Sequence, residues 1–180
     1  MSLELVRTGN TRWQLGLVNG PNMPNLVHRD PRLFGPAQSI HDLERRVFRH
    51  ANELGVDMHA MHSNHDGVIL DWLHEVAFDG RLDGLIINPG DAVTYCEHFR
   101  HCLEDSGLPY VEVHFFNLVA NGITSRLTRT AAGLCHGLRK HSYTAALIGL
   151  VRMLDDGDFI RPLNYHRHQE RVAERNGAQR

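Results

Sequence analysis

Short apolar runs alternate with stretches of helical periodicity along most of the chain. The runs at residues 13–18, 56–63, 84–88, 110–115 and 131–138 predict five strands, since each is apolar or alternating and short. Between them, apolar residues spaced three and four apart predict helices. These helical stripes are Ile40, Leu43, Val47, Ala51 and Leu54; Ile69, Trp72, Leu73 and Val76; Tyr95, Phe99, Cys102 and Leu103; and Tyr143, Ala146, Leu147 and Leu150.

Local signals mark the ends of these helices. Ser39 followed by Asp42 predicts a capping box at the start of the first helix, and Gly55 is suited to its C-terminus. Gly107 and Pro109 predict the end of the third helix. Because strands that alternate with helices form βαβ units, the sheet should be parallel and covered on both faces. The favoured fold is α/β, a flavodoxin-like three-layer sandwich with a five-stranded parallel sheet.

The pattern divides the chain into one domain and an extension. The whole chain has 180 residues, a usual length for a single domain. Residues 1–155 carry the periodic pattern and are predicted to form that domain. Residues 156–180 are polar and lack a clear period, which predicts a flexible or partner-docked C-terminal extension.

Composition and charge exclude several classes of function. The net charge of −2 predicts no nucleic-acid partner and no anionic membrane surface. No apolar run approaches the roughly 20 residues that cross a bilayer, and the first residues, MSLELVRTGNTR, have no apolar signal core. Three cysteines without CxxC spacing are typical of reduced thiols, so a cytoplasmic location is expected.

The 14 histidines raise the question of a metal. His59 and His62 would point to opposite faces of one strand, so they cannot both bind one ion without distortion. No metal is therefore predicted, and scattered surface histidines are the favoured interpretation. The chain also lacks GxGxxG and GxxxxGK[ST], which argues against a nucleotide cofactor.

Polar residues follow the predicted strands at 19–22, 63–66, 88–91 and 112–117. In an open parallel sheet, ligands bind outside the carboxyl ends of the strands. These segments carry amides, imidazoles and carboxylates, which suits acid–base chemistry at this edge.

Four sequence motifs in register identify a resemblance. They are Gly20-Pro21-Asn22, the segment SNHDG at 63–67 that leads into DWLHE at 71–75, IINPG at 86–90 and VEVH at 111–114. In this order and spacing they resemble the type II 3-dehydroquinate dehydratase family, over about residues 13–155. The resemblance implies the flavodoxin-like fold, a small cyclic substrate, no cofactor, and trimers that gather as a dodecamer.

The resemblance assigns roles to five residues. Members of the family remove a C2 proton with a tyrosine activated by an arginine, then eliminate the C1 hydroxyl with a histidine acid and an asparagine-held water. Asn22 matches that asparagine, Arg29 the arginine and His114 the acid. Glu112 matches the carboxylate that orients His114, and Asn88 a substrate-binding asparagine. Because residues i and i+2 of a strand share a face, Glu112 can lie beside the imidazole and stabilise its protonated form.

The base is the main departure from the family pattern. Phe34 stands where the family has tyrosine, and a phenyl ring has no ionisable proton. Loss of a positioned base typically lowers the rate by about 10²–10⁴-fold. Tyr95, His28 and Asp91 lie on loops at the same edge of the sheet, and each is a possible substitute base.

Three substrate-binding positions depart as well. Thr94 stands where the family has a histidine, and Phe116 replaces a serine of the turn that holds the substrate carboxylate. Of the two arginines in the family's lid stretch, one is replaced by Asn121, and Arg126 matches the other only with a shift of one place. Phe34 and Phe116 make the predicted pocket more apolar than that of the family.

Three hypotheses follow for the function. The leading one is a cofactor-free lyase-type enzyme that keeps the acid half of the site and acts on a different small cyclic carbonyl compound. The second is an authentic 3-dehydroquinate dehydratase with a relocated base. The third is a non-catalytic binding or assembly protein on the same fold.

Overall fold

The computed structural model describes residues 6–159 and 163–178 and contains one five-stranded parallel sheet of order β2-β1-β3-β4-β5. This order, with parallel pairing throughout, is that of flavodoxin-like proteins and confirms the predicted fold class. The strands are β1 (Gln14–Asn19), β2 (Asp57–His62), β3 (Gly84–Asn88), β4 (Tyr110–Val113) and β5 (Gly133–Cys135).

Helices cover both faces of the sheet. Helices α2 and α5 bury their apolar stripes on one face, with Leu15, Leu17 and Ile86 of the sheet. Helices α3 and α4 cover the other face, against Ile87 and Tyr110. The helices are α1 (Pro31–Phe34), α2 (Ile40–Glu53), α3 (Asp66–Phe78), α4 (Glu97–Ser106), α5 (His141–Asp156) and α6 (Tyr165–Ala178).

The predicted capping signals are present. The Ser39 side chain accepts from the Asp42 backbone N–H, and Asp42 accepts in turn from the Ser39 N–H, which completes a capping box at α2. Gly107 ends α4 in the left-handed conformation. Tyr95, by contrast, lies before α4 and is exposed, so its place in the predicted helical stripe is wrong.

Two segments near the carboxyl ends of the strands differ from the prediction made from the sequence. The strand predicted over 110–115 ends at Val113, so His114 begins the following loop. The loop after β1 contains the short helix α1, which begins at Pro31 with Asp30 as its N-cap. The Asp30 carboxylate accepts from the Arg32 N–H, and proline suits the first turn.

The C-terminal segment forms a helix that packs on the domain. Helix α6 lies against α4, and Arg175 hydrogen-bonds the Gly80 carbonyl near the end of α3. The Asn164 amide donates to the Glu104 carbonyl at 3.0 Å, and His168 is buried. Residues 163–178 are therefore ordered against their own chain, where the sequence predicted a flexible or partner-docked extension. Within the described ranges, no helix is long and apolar enough to cross a membrane.

Candidate active site

The carboxyl ends of β1 and β3 bring two turns into backbone contact. Asn19 is paired with Asn88 in the sheet, the Gly20 N–H donates to the Asn88 carbonyl at 2.8 Å, and the Asp91 N–H donates to the Pro21 carbonyl at 3.0 Å. A Cβ on Gly90, whose φ is +61°, would lie 2.1 Å from the Pro21 carbonyl oxygen. Glycine is required there by both conformation and space. This close approach places the side chains that follow the two strands next to each other.

A buried imidazole and carboxylate lie at the end of β4. The distance from His114 Nε2 to Glu112 Oε1 is 2.7 Å, and both side chains are almost fully buried. The second oxygen of Glu112 accepts from the Thr128 hydroxyl at 2.6 Å. Because a carboxylate only accepts hydrogen bonds, the contact assigns the ring hydrogen to Nε2, directed toward Glu112. Its Nδ1 makes no hydrogen bond to the described residues and is the atom available to a ligand.

Asn88 is fixed by a second buried network. Its amide NH₂ donates to the Tyr143 hydroxyl at 2.8 Å, and its oxygen accepts from the Gly90 N–H at 2.9 Å. The Tyr143 hydroxyl donates in turn to Asn19 Oδ1 at 2.7 Å. Burial raises the pKa of Tyr143, which keeps this hydroxyl protonated and able to donate. The network connects α5 to the ends of β1 and β3.

Arg29 and Asp91 form an ion pair at the entrance of the site. Arg29 Nη1 lies 3.2 Å from Asp91 Oδ1, and the Asn22 amide donates to Asp91 Oδ2 at 2.7 Å. The Arg29 guanidinium also lies over the Phe34 ring, with its central carbon 4.3 Å from the ring centroid. Phe34 is itself packed against Phe116, with ring centroids 5.7 Å apart. Asn22 adopts a left-handed φ of +66°, a conformation that asparagine tolerates better than most residues.

These groups enclose a cavity of about 300 Å³. This volume lies at the lower end of the range for small-molecule sites. Seven of the twelve residues on the cavity wall are apolar or glycine, and five are polar or charged. The wall is formed by Met23, Arg29, Phe34, Asn88, Gly90, Asp91, Val93, Thr94, His114, Phe115, Phe116 and Ile123. The arrangement offers one acid, one carboxylate and an apolar surface for a ring, which suits proton transfer on a small cyclic compound.

Most of the sequence-predicted site residues meet at this cavity. Arg29, Phe34, Asn88, Asp91, Thr94, His114 and Phe116 line it. Asn22 and Glu112 lie directly behind this wall and contact it through Asp91 and His114.

Three predicted residues lie elsewhere. Arg126 donates to the Thr94 carbonyl at 3.0 Å and pairs with Glu97, so its charge is used outside the cavity wall. His28 is exposed and is not on the wall. Tyr95 is also exposed; desolvation, together with the nearby carboxylates of Asp66 and Asp91, raises its pKa, which makes it a poor base near neutral pH.

Sequence reasoning did not find every residue of the site. Thr128 and the Asn19–Tyr143 pair position the predicted residues through long-range contacts, and Met23 and Ile123 complete the apolar wall. The only available signal was indirect. Tyr143 occupies an apolar helical stripe, yet its hydroxyl would need a partner once buried.

Other chemistries find little support in the described ranges. No group of three or more His, Cys, Asp or Glu side chains there is arranged to bind a metal ion. Burial raises the pKa of the Cys96 and Cys102 thiols to about 12, so they are protonated and unreactive at neutral pH. A wider groove of about 730 Å³ between residues 7–10 and 52–55 contains Arg7, whose guanidinium is already bonded to Asp155 and to the Leu54 carbonyl.

Comparison with known proteins gives a consistent result. The family model described as dehydroquinase class II matches residues 13–151. A 3-dehydroquinate dehydratase of Herminiimonas arsenicoxydans is 37% identical over 141 residues, covering 77% of this chain and 96% of that protein. One from Halalkalibacterium halodurans is 32% identical over 141 residues, covering 75% and 93%. The crystal structure of type II dehydroquinase from Propionibacterium acnes is similar with a TM-score of 0.72 and 27% identity, covering 79% of this chain and 99% of that one.

Proposed function

The chain belongs to the class II dehydroquinase family, and from this premise we propose that it is a cofactor-free hydro-lyase acting on a small cyclic carbonyl compound other than dehydroquinate. The family acts on a small molecule by loss of water, and the proposal concerns which molecule and which residues. The observation that carries it is the buried His114–Glu112 pair on the wall of an aromatic cavity.

His114 is the proposed acid. With Nε2–H held by Glu112, the protonated ring donates from Nδ1 to a leaving hydroxyl, which departs as water. Glu112 stabilises the positive charge of the ring before the proton is given up, and Thr128 keeps the carboxylate in place. The opposite direction, addition of water to an enone, uses the same groups with His114 accepting the proton.

Asn88 is the proposed polar anchor for the substrate. Its amide is held at both ends by Tyr143 and Gly90, so it presents a fixed edge to the cavity. A preorganised amide positions a carbonyl or hydroxyl oxygen without losing side-chain entropy on binding.

The substrate is proposed to carry less negative charge than dehydroquinate. Phe116, on the cavity wall, stands where the family resemblance places a carboxylate-holding serine. Loss of one charge-assisted hydrogen bond to a substrate carboxylate costs about 1.5–3 kcal/mol.

Authentic dehydratase activity on 3-dehydroquinate is the second candidate. The Arg29–Asp91 ion pair supports it, because Asp91, a proposed alternative base, lies beside Arg29, which the family resemblance matches to the arginine that activates the tyrosine. The family resemblance also supports assembly as a trimer-based dodecamer, and the exposed apolar side chains of Val119 and Leu138 are suited to subunit contacts.

A comparison of two probes tests the proposal. Purified protein is incubated with 3-dehydroquinate and with its methyl ester, and the conjugated enone product is followed by ultraviolet absorbance. We expect kcat/KM to be at least about tenfold higher for the ester, which corresponds to about 1.4 kcal/mol. Preference for the free acid would favour the second candidate. Binding of both probes without enone formation would overturn both candidates and leave a binding protein.

A further inference from the structure

Asp91 is a carboxylate on the cavity wall that remains accessible to a ligand although both its oxygens accept hydrogen bonds. Its two oxygens accept from Asn22 and Arg29, but 53% of the side chain is exposed. Glu112, the other carboxylate at the site, is fully buried behind His114. A ligand in the cavity therefore meets the Asp91 carboxylate directly.

The Asp91 side chain has no local structural task. Asp91 lies in the short 3-10 turn at 90–94, where the N-terminal cap makes no side-chain hydrogen bond. The turn is held by backbone bonds, including the Asp91 N–H to the Pro21 carbonyl. The Asp91 carboxylate instead accepts from two side chains of the loop after β1, Asn22 and Arg29, each more than sixty residues away in sequence.

Arg29 connects Asp91 to the position of the missing base. Its guanidinium lies on the Phe34 ring and bonds to Asp91, so both contacts fix it between residues 34 and 91. Phe34 is held in turn by Phe115 and Phe116, with ring centroids 5.5 and 5.7 Å away. The arginine is thus directed at a carboxylate, while the ring beneath it serves as a platform.

We propose that Asp91 is the general base of this site, in place of the tyrosine that Phe34 replaces. An Asp91 oxygen takes a proton from the carbon next to the substrate carbonyl, and the electron pair of that C–H bond forms an enolate. When the enolate collapses, the C–O bond to the leaving hydroxyl breaks, and His114 supplies the proton that completes water. Carboxylates act as bases for such protons in other enzymes.

A carboxylate is a weaker base than a phenolate, so proton removal by Asp91 is expected to be slower than removal by an activated tyrosine from the same carbon. The inference rests on the proposed function, because it requires the cavity to be a site of proton abstraction.

Deuterium exchange isolates this step from loss of water. The methyl ester of 3-dehydroquinate is incubated with enzyme in D₂O, and deuterium incorporation next to the ketone is followed by proton NMR. We expect Asp91→Asn, which keeps the shape and acceptor oxygen, to slow exchange by at least about 100-fold. Its affinity for the ester should stay within about threefold of wild type, and Asp91→Glu should retain part of the exchange.

Two further variants make the outcomes distinguishable. Asp71→Asn changes an exposed aspartate on α3 and should exchange as wild type does. His114→Ala should keep exchange while losing elimination, because the acid acts after the proton is removed. Wild-type exchange that persists in Asp91→Asn would overturn the assignment of Asp91 but leave the proposed function standing. Loss of water that continues at the wild-type rate in Asp91→Asn would likewise overturn the assignment of Asp91. Absence of both exchange and loss of water in the wild-type protein would overturn the proposed function.

Discussion

Removal of the Tyr143 hydroxyl should both destabilise the protein and impair its site. The hydroxyl joins Asn19 Oδ1 at 2.7 Å and Asn88 Nδ2 at 2.8 Å, and all three side chains are buried. Tyr143→Phe would leave one buried acceptor and one buried donor unpaired, each at a cost of about 1–3 kcal/mol. Phenylalanine has no hydroxyl to desolvate on folding, and this offsets part of the cost. The expected net loss of unfolding free energy is therefore about 2–4 kcal/mol.

Urea unfolding measures this loss, and enone formation measures its effect on the site. Tyr110→Phe is the matched control: its hydroxyl is also buried, bonded to the Leu127 carbonyl at 2.7 Å, but it lies on the other face of the sheet. Both variants should lose stability, while only Tyr143→Phe should raise KM, because only Tyr143 holds Asn88. A change below about 0.5 kcal/mol for Tyr143→Phe would refute the reasoning, as would an equal rise of KM in both variants.

Two further predictions concern the C-terminal helix and the aromatic platform. Burial, with a smaller contribution from the charges of Arg171 and Arg175, lowers the pKa of His168 to about 4 from a usual 6.5. Between pH 6.5 and 4 the unfolded chain therefore binds a proton that the folded chain does not, so the free energy of unfolding should fall by about 3 kcal/mol over this range. Urea unfolding at pH 7 and 4.5 measures this fall, and His168→Gln should make it smaller. An unchanged pH dependence in the variant would contradict the assignment to His168. Phe34→Tyr should raise the turnover of 3-dehydroquinate by less than about tenfold, because Arg29 remains bonded to Asp91 and does not activate the new tyrosine. A rise of about 100-fold in the enone assay would contradict this, because it would show that the tyrosine was the only group needed to restore dehydratase activity.

The strands and most helices were predictable because their signals are local. An apolar run as short as 84–88, ended by Pro89 and Gly90, is typical of a buried central strand, and the Ser39–Asp42 capping box acts within a single turn. The parallel sheet also predicted where the site lies, because ligands bind outside the carboxyl ends of parallel strands. Helix α6 escaped prediction because, of the residues at helical spacing that face the domain, Tyr165, His168 and Val172, only Val172 is aliphatic.

The inner arrangement of the site depended on contacts between distant segments. The meeting of Asp91 with Arg29 and Asn22 results from the packing of the Gly20 and Gly90 turns, which spacing along the chain does not reveal. Three substitute bases were predicted with equal standing, and of these Asp91 alone lies on the cavity wall. The contact of Thr128 with Glu112 has the same long-range origin.

The central claim is that the acid half of the site is used for loss of water, and His114→Ala tests it most directly. Enone formation from the methyl ester of 3-dehydroquinate is compared in wild type, His114→Ala and His166→Ala, the last changing an exposed histidine on α6. The account predicts a fall in kcat of about 10²–10⁴-fold for His114→Ala and wild-type behaviour for His166→Ala. Turnover by His114→Ala within a factor of three of wild type would contradict it.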